Sequence, residues 1–226
     1  GSNSAVVIHD VEDLDRVVSR CVQGAYTFAG QVCISVQRIY VRNELYEPFL
    51  ERYTQRVAAL RTGDPASEET EMSAMISPAE SKRVLAWIEE AKGAGARVET
   101  GGLMDGAIVT PTVLTSVTET MKVCANEVFG PVSAVMPYQD FDEALAAVNR
   151  SRYGLQAGVY TRDLSKAFKA VKTLQVGGVM INDIPSFRVD HMPYGGVKES
   201  GTGREGVAYA IQEMTELKLA VFHLGS

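Results

Sequence analysis

The chain has 226 residues, 46% of them apolar and 22% charged, with a net charge of −6. That is the composition of an ordinary globular domain, long enough to bury one large core or two small ones. The acidic balance argues against a nucleic-acid partner, and no run of about eighteen apolar residues is present to span a bilayer. The three cysteines are odd in number and far apart, which suggests no disulfide framework. No secretory leader is visible, so a reducing cytoplasmic setting is expected.

Strand and helix patterns alternate along the chain. After the start Gly1-Ser2-Asn3-Ser4, residues 5–8 read as a strand and 11–28 as an amphipathic helix. Residues 37–41 favour a strand. The stretch 44–60 carries apolar Leu45, Phe49, Val57 and Leu60 on a helical face and is closed by Thr62-Gly63-Asp64-Pro65. A helix is predicted over 78–93, with Pro78 in its first turn and Gly93 and Gly95 at its end. Strands follow at 97–99, 108–113 and 132–136, then a helix at 141–149, a strand at 155–160, a helix at 164–174 and a short strand at 179–181. Residues 182–205 hold glycine, proline and charge with little periodicity, and read as a long functional loop. A helix over 206–214 and an apolar strand over 217–224 close the chain. Helices of roughly 10–17 residues between strands imply crossover connections. The predicted class is α/β, a mostly parallel twisted sheet with helices on both faces.

The residues that carry chemistry sit where these elements meet. Gly30-Gln31-Val32-Cys33 lies between a helix and a strand, where a loop can present a thiol to a ligand. Backbone N–H groups there favour the thiolate, the reactive form. A lone cysteine also reads as a small buried hydrophobe; Cys21, mid-helix among apolar neighbours, and Cys124 are read that way. Asn126-Glu127-Val128-Phe129-Gly130-Pro131 sets a carboxylate and an aromatic ring two residues apart, pointing the same way on an extended segment. The carboxylate can accept two hydroxyl hydrogen bonds and the ring can pack on a flat ligand; the alternative is a turn with a solvated glutamate. Pro193-Tyr194-Gly195-Gly196-Val197-Lys198-Glu199-Ser200-Gly201 offers another ring beside paired glycines, which let backbones approach closely.

Within Asn182-Asp183-Ile184-Pro185-Ser186-Phe187-Arg188-Val189-Asp190-His191, Arg188 suits bidentate recognition of a carboxylate, phosphate or phosphonate, and Phe187 supplies an apolar wall. A surface pair of Arg188 with Asp190, or an arginine turned to solvent, is the alternative. His191 has no partner in sequence and reads as structural. No metal is expected, because no ligand spacing is present. Gly201-Thr202-Gly203-Arg204-Glu205-Gly206 has the Gly-x-Gly-x-x-Gly spacing but follows no strand of a βαβ unit, so it is not read as a dinucleotide fingerprint.

In this order and at about this spacing, the Cys33, Glu127–Pro131 and Pro193–Gly201 stretches resemble the C-terminal catalytic half of the aldehyde dehydrogenase superfamily, over Ala5 to about Phe222. The resemblance implies that Cys33 attacks an aldehyde to give a thiohemiacetal, that hydride passes to NAD or NADP, and that water releases the acid from a thioester. It makes the Cys33 N–H one donor to the oxyanion. It assigns Glu127 and Phe129 to the nicotinamide end of the cofactor, Tyr194 to the aldehyde pocket, and the segment with Phe187 and Arg188 to the anchoring of substrate. It further implies a catalytic domain over 1–214 and a strand of the oligomerisation region over 215–226. The adenosine-binding half, a glutamate base and an asparagine donor are expected outside this chain.

The full-length protein is expected to be a homodimer or homotetramer acting on a small-molecule aldehyde, with no membrane or nucleic-acid partner. This chain alone is expected to be inactive, and its unpaired apolar terminal strand to promote self-association. Two alternatives stand beside this reading: a CoA-acylating aldehyde dehydrogenase, and a non-catalytic scaffold of the same fold.

Overall fold

The computed structural model describes residues 1–225. The elements, in chain order, are β1 (Ala5–Ile8), α1 (Leu14–Tyr26), β2 (Arg38–Arg42), α2 (Asn43–Ala58), α3 (Pro78–Gly93), β3 (Arg97–Thr100), β4 (Met104–Asp105), β5 (Ile108–Val109), β6 (Thr112–Thr115), α4 (Lys122–Ala125), β7 (Val132–Tyr138), α5 (Phe141–Asn149), β8 (Tyr153–Gly154), β9 (Gln156–Tyr160), α6 (Leu164–Thr173), β10 (Gly178–Ile181), β11 (Val197–Lys198) and α7 (Val207–Met214).

Seven strands form one sheet in the order β10-β9-β1-β2-β7-β6-β3. Every pairing is parallel except that of the edge strand β3 with β6. The interior strand β1 is Ala-Val-Val-Ile and all four residues are buried. An unbroken apolar run is what a parallel strand covered on both faces requires. One face packs through Val6, Ile8 and Ile39 against Val18, Cys21, Phe49 and Tyr53 of α1 and α2. The other packs through Ala5, Val7, Tyr40 and Val159 against Leu145, Val148 and Ala170 of α5 and α6. The α/β class with a mostly parallel sheet is therefore as predicted. Among the described residues, no helix is long and apolar enough to cross a membrane.

The differences from the sequence reading have local causes. The helix predicted over 11–28 begins at Leu14, because Asp13 turns its carboxylate back to accept the Arg16 N–H at 3.0 Å as an N-cap. It stops at Tyr26, because Phe28 and Ala29 adopt left-handed backbone angles. The strand predicted over 108–113 is split: Ile108 and Val109 pair back on β4 in a hairpin, Pro111 has no N–H to give a ladder, and β6 begins at Thr112. The one-turn helix α4 was not expected.

The strand predicted over 217–224 does not form among the described residues. Leu217, Leu219, Phe222 and Leu224 are almost fully exposed on an extended tail. A strand needs a ladder partner, and this tail has none to pair with here.

His9, at the carboxyl end of β1, is buried against Phe141, and its Nδ1 lies 3.0 Å from the Tyr138 hydroxyl. Burial and the nearby Lys166 and Arg42 charges lower its pKa below the ordinary histidine value. The unfolded chain therefore binds the extra proton more readily, and stability falls as the pH drops below about 6.5 toward the folded-state value. Denaturant midpoints measured across that window should decline with acid, and a His9→Gln variant should show a flatter decline.

Candidate active site

Strands β1, β2, β7 and β9 run in the same direction, and the segments that lead into them gather at the amino edge of the sheet. Those segments carry Gly1, Cys33, Glu127, Phe129 and Leu155. The site begins with the end of α1. After Tyr26 the chain makes a left-handed reversal through Phe28, Ala29 and Gly30, at φ 52°, 54° and 69°. Two of the three are not glycine, and left-handed backbone costs an L-residue about 1–2 kcal/mol. Gly30 is required twice over, since a Cβ there would lie 2.1 Å from the Gly130 carbonyl oxygen. This contact seats the turn that bears Cys33 directly on the Glu127–Pro131 segment.

The Ser35 N–H donates to the Val32 carbonyl at 2.9 Å and closes the turn over Cys33. Cys33 is exposed and lines an open cavity of about 530 Å³. Its N–H donates to no group among the described residues. The other two thiols are buried, as expected from sequence. Burial pushes the Cys21 thiol pKa far up and that of Cys124 to about 12, so neither is a thiolate near neutral pH.

Tyr194 lines the same cavity as Cys33. It is tied to Glu205 by an antiparallel pair of backbone hydrogen bonds, 3.1 Å from the Tyr194 N–H and 2.6 Å from the Glu205 N–H. Burial, and then the nearness of Cys33, raise the Tyr194 pKa to about 12, so the phenol keeps its proton and remains a donor. Glu127 and Phe129 face a narrow gap beside the same turn, with Ser2, Gly30, Val32 and Ser35. The Glu127 Oε1 accepts the Ser2 N–H at 2.8 Å, and Gly1 lies so close to its Oε2 that a Cβ would fall 2.2 Å away. Phe129 has φ 48° and the residue is 39% exposed.

The segment before Tyr194 is fastened to the Cys33 turn. Ser186 Oγ donates to the Ile34 carbonyl at 2.8 Å, and the Arg20 guanidinium holds Asp183 at 2.7 Å. Gln156 Nε2 donates to the Pro185 carbonyl. Phe187 and Arg188 follow, both exposed, and neither lines the Cys33 cavity itself. The Arg188 guanidinium lies 4.7 Å from the centre of the Tyr194 ring. No ion pair joins it to Asp190 among the described residues, and its exposure leaves the solvent-turned reading standing.

Two residues escaped sequence reasoning. Gln37 is buried and holds the Glu127 segment on three sides: Nε2 donates to the Val123 carbonyl at 2.9 Å and the Asn126 carbonyl at 2.7 Å, while Oε1 accepts the Val128 N–H at 3.0 Å. A glutamine at the start of the strand predicted over 37–41 was the available signal, because a buried amide has to find partners. Glu205 puts a carboxylate residue on the wall of the Cys33 cavity; it sits in an irregular stretch and had no sequence signal. Among the described residues, no group of three or more His, Cys, Asp or Glu could hold a metal ion.

The model of the aldehyde dehydrogenase family matches residues 1–220, and the chain belongs to that family. The chain is 48% identical to a 3-sulfolactaldehyde dehydrogenase of Priestia aryabhattai, over 99% of this chain and 47% of that protein. It is 38% identical to a lactaldehyde dehydrogenase of Methanococcus aeolicus, over 98% of this chain and 47% of that one.

The fold matches the crystal structure of aldehyde dehydrogenase 21 of Physcomitrella patens in complex with the reaction product succinate. The TM-score is 0.94 and the identity 42%, over 96% of this chain and 45% of that one. It also matches a glyceraldehyde-3-phosphate dehydrogenase of Methanocaldococcus jannaschii complexed with NADP, with a TM-score of 0.92 and 37% identity, over 96% and 47% of the two chains. The chain thus spans about half the length of the relatives it matches.

Two outcomes test this geometry. A thiol reagent applied to the folded chain, followed by peptide mass spectrometry, should modify Cys33 well before Cys21 or Cys124. A Gly30→Ala variant should lose at least ~1–2 kcal/mol in denaturant unfolding, since it adds both left-handed strain and a clash with the Gly130 carbonyl.

Proposed function

We propose that the protein to which this chain belongs oxidises an aldehyde to a carboxylic acid with NAD or NADP, and that Cys33 is the nucleophile. The observation that carries this reading is the contrast among the three thiols: Cys33 is exposed in an open cavity while Cys21 and Cys124 are buried. In the proposed reaction the Cys33 sulfur bonds to the carbonyl carbon, and the carbonyl π pair moves onto oxygen. The Cys33 N–H, without a partner among the described residues, is the proposed donor to that oxyanion, and the protonated Tyr194 phenol supports the bound substrate. When bound, the nicotinamide supplies the acceptor for the hydride that leaves the former aldehyde carbon. Water then displaces Cys33 from the acyl group, its proton taken by the glutamate base expected outside this chain.

The residues present suit the nicotinamide end of such a cofactor. Phe129 offers an exposed ring face, and Glu127 has acceptor capacity left after taking one N–H from Ser2. Cofactor selection, the remainder of the cofactor site and that base are assigned to a part of the protein outside this chain. In this reading the chain alone does not turn over, and the exposed apolar tail from Leu217 to Leu224 pairs with another chain in a homodimer or homotetramer. Arg188, stacked on Tyr194 and without a carboxylate partner among the described residues, favours aldehydes that carry an anionic group. The 3-sulfolactaldehyde dehydrogenase relative and the succinate-bound structure are in keeping with that class.

The test is NAD(P)H formation by the full-length protein with a panel of neutral and anionic aldehydes. Cys33→Ser should abolish it. Arg188→Ala should raise KM about 10- to 100-fold for anionic aldehydes, the loss of one charge-assisted contact, while sparing neutral ones. Full activity in Cys33→Ser would refute the assignment.

A further inference from the structure

A second polar cavity lies beside the Glu127 segment and takes no part in the proposed reaction. It encloses about 210 Å³ and is walled by Asn3, Arg38, Glu119, Cys124, Arg150 and Arg152, among others. Three guanidinium groups therefore face one carboxylate. That carboxylate is already committed: Glu119 binds Arg150 through two hydrogen bonds of 2.6 and 2.7 Å.

Arg38, the first residue of β2, is only 5% exposed. Its contacts are all with neutral groups. Nε donates to the Asn3 carbonyl at 2.9 Å, Nη1 to the Tyr40 hydroxyl at 3.2 Å and to the Ala147 carbonyl at 3.5 Å, and the guanidinium lies 5.9 Å from the Tyr40 ring centre. No carboxylate comes within ion-pair distance of it among the described residues, and its Nη2 donates to nothing there. A buried charge without a counter-charge is costly. Arg152, also in the lining, donates through Nη2 to Asn126 Oδ1 at 3.0 Å and to the Tyr153 hydroxyl at 2.8 Å, and its Nε lies 3.4 Å from Glu199, a half-exposed pair. Lys198 adds a further cation nearby: its ammonium donates to the Asn149 and Ser151 carbonyls at 2.7 and 3.1 Å and has no carboxylate partner among the described residues. Burial, and then the positive charge of Arg38, lower the Lys198 pKa below its ordinary value.

We infer that this cavity is a binding site for a small oxyanion, such as inorganic phosphate or a short carboxylate, held between Arg38 and Arg152. Guanidinium forks suit tetrahedral and planar oxyanions, and the volume admits such an ion but no large ligand. The bound ion would supply the counter-charge that Arg38 lacks. It would also brace residues 119–126 against β2, next to Glu127, without touching the Cys33 cavity.

The probe is inorganic phosphate against chloride at matched ionic strength, read by titration calorimetry and thermal unfolding. Phosphate should bind with Kd about 1 mM or tighter. At roughly twenty times Kd it should raise Tm by about 4–7 °C beyond chloride. Arg38→Gln should weaken binding at least tenfold. Because that variant alters a buried site, Arg152→Gln, a half-exposed position, provides the independent check and should weaken binding at least threefold with the unliganded fold unchanged. Crystals soaked in tungstate should place the heavy anion between the two guanidinium groups.

Phosphate acting no differently from chloride, unchanged affinity in Arg152→Gln, or tungstate bound elsewhere would overturn the site. So would a crystal in which a carboxylate of another chain fills the cavity.

Discussion

The close approach of Gly30 to the Gly130 carbonyl is the constraint on which the site depends. There is no room between them for a Cβ, so the backbones of two segments a hundred residues apart rest on one another. The left-handed reversal at Phe28, Ala29 and Gly30 exists to reach this contact, and it gives the next turn its direction. Cys33 is thereby lifted off the core into the cavity, while Cys21, twelve residues earlier on the buried face of α1, is not. Backbone strain at such a point persists only when the surroundings over-determine it. Here they do: a helix on one side, the Glu127 segment on the other.

The Glu127 segment is in turn held by polar groups rather than by regular structure. Gln37 satisfies two carbonyls and one N–H of residues 123–128, Asn3 Nδ2 donates to the Cys124 carbonyl at 2.7 Å, and Arg83 donates to the Val128 carbonyl at 2.8 Å. Each is a half-buried or buried contact to backbone that a loop would otherwise leave unpaired. Residues 126–131, past the end of α4, are therefore tied down without being helix or strand, which is what a site for an oriented ligand needs.

Position is the other consequence. In open parallel sheets, ligands bind as a rule beyond the carboxyl ends of the strands. In this sheet Cys33, Glu127, Tyr194 and the oxyanion cavity gather at the amino ends. The helices return the chain to that edge, and the segment after β10 runs back along the sheet, so that Ser186 reaches the Ile34 carbonyl and Gln156 the Pro185 carbonyl. No periodicity argument would place the site there.

What could be read from the sequence alone was whatever depends on local pattern. The alternation of apolar runs and amphipathic stretches determined the α/β class and most element positions, because burial of one stripe or both faces leaves a period in the chain. The ordered Cys33, Glu127–Pro131 and Tyr194 stretches identified the family, and the apolar setting of Cys21 marked it as core. Tertiary structure alone decided the rest. It split the 108–113 run at Pro111 and left 217–224 unpaired, since a strand exists only with a partner. It put Tyr194 in the Cys33 cavity and Arg188 on the Tyr194 ring, and it made Gln37 and Glu205 part of the site. It also left Arg38 buried without a counter-charge. Each of these rests on contact between residues far apart in the chain, and such contacts leave no trace in local composition.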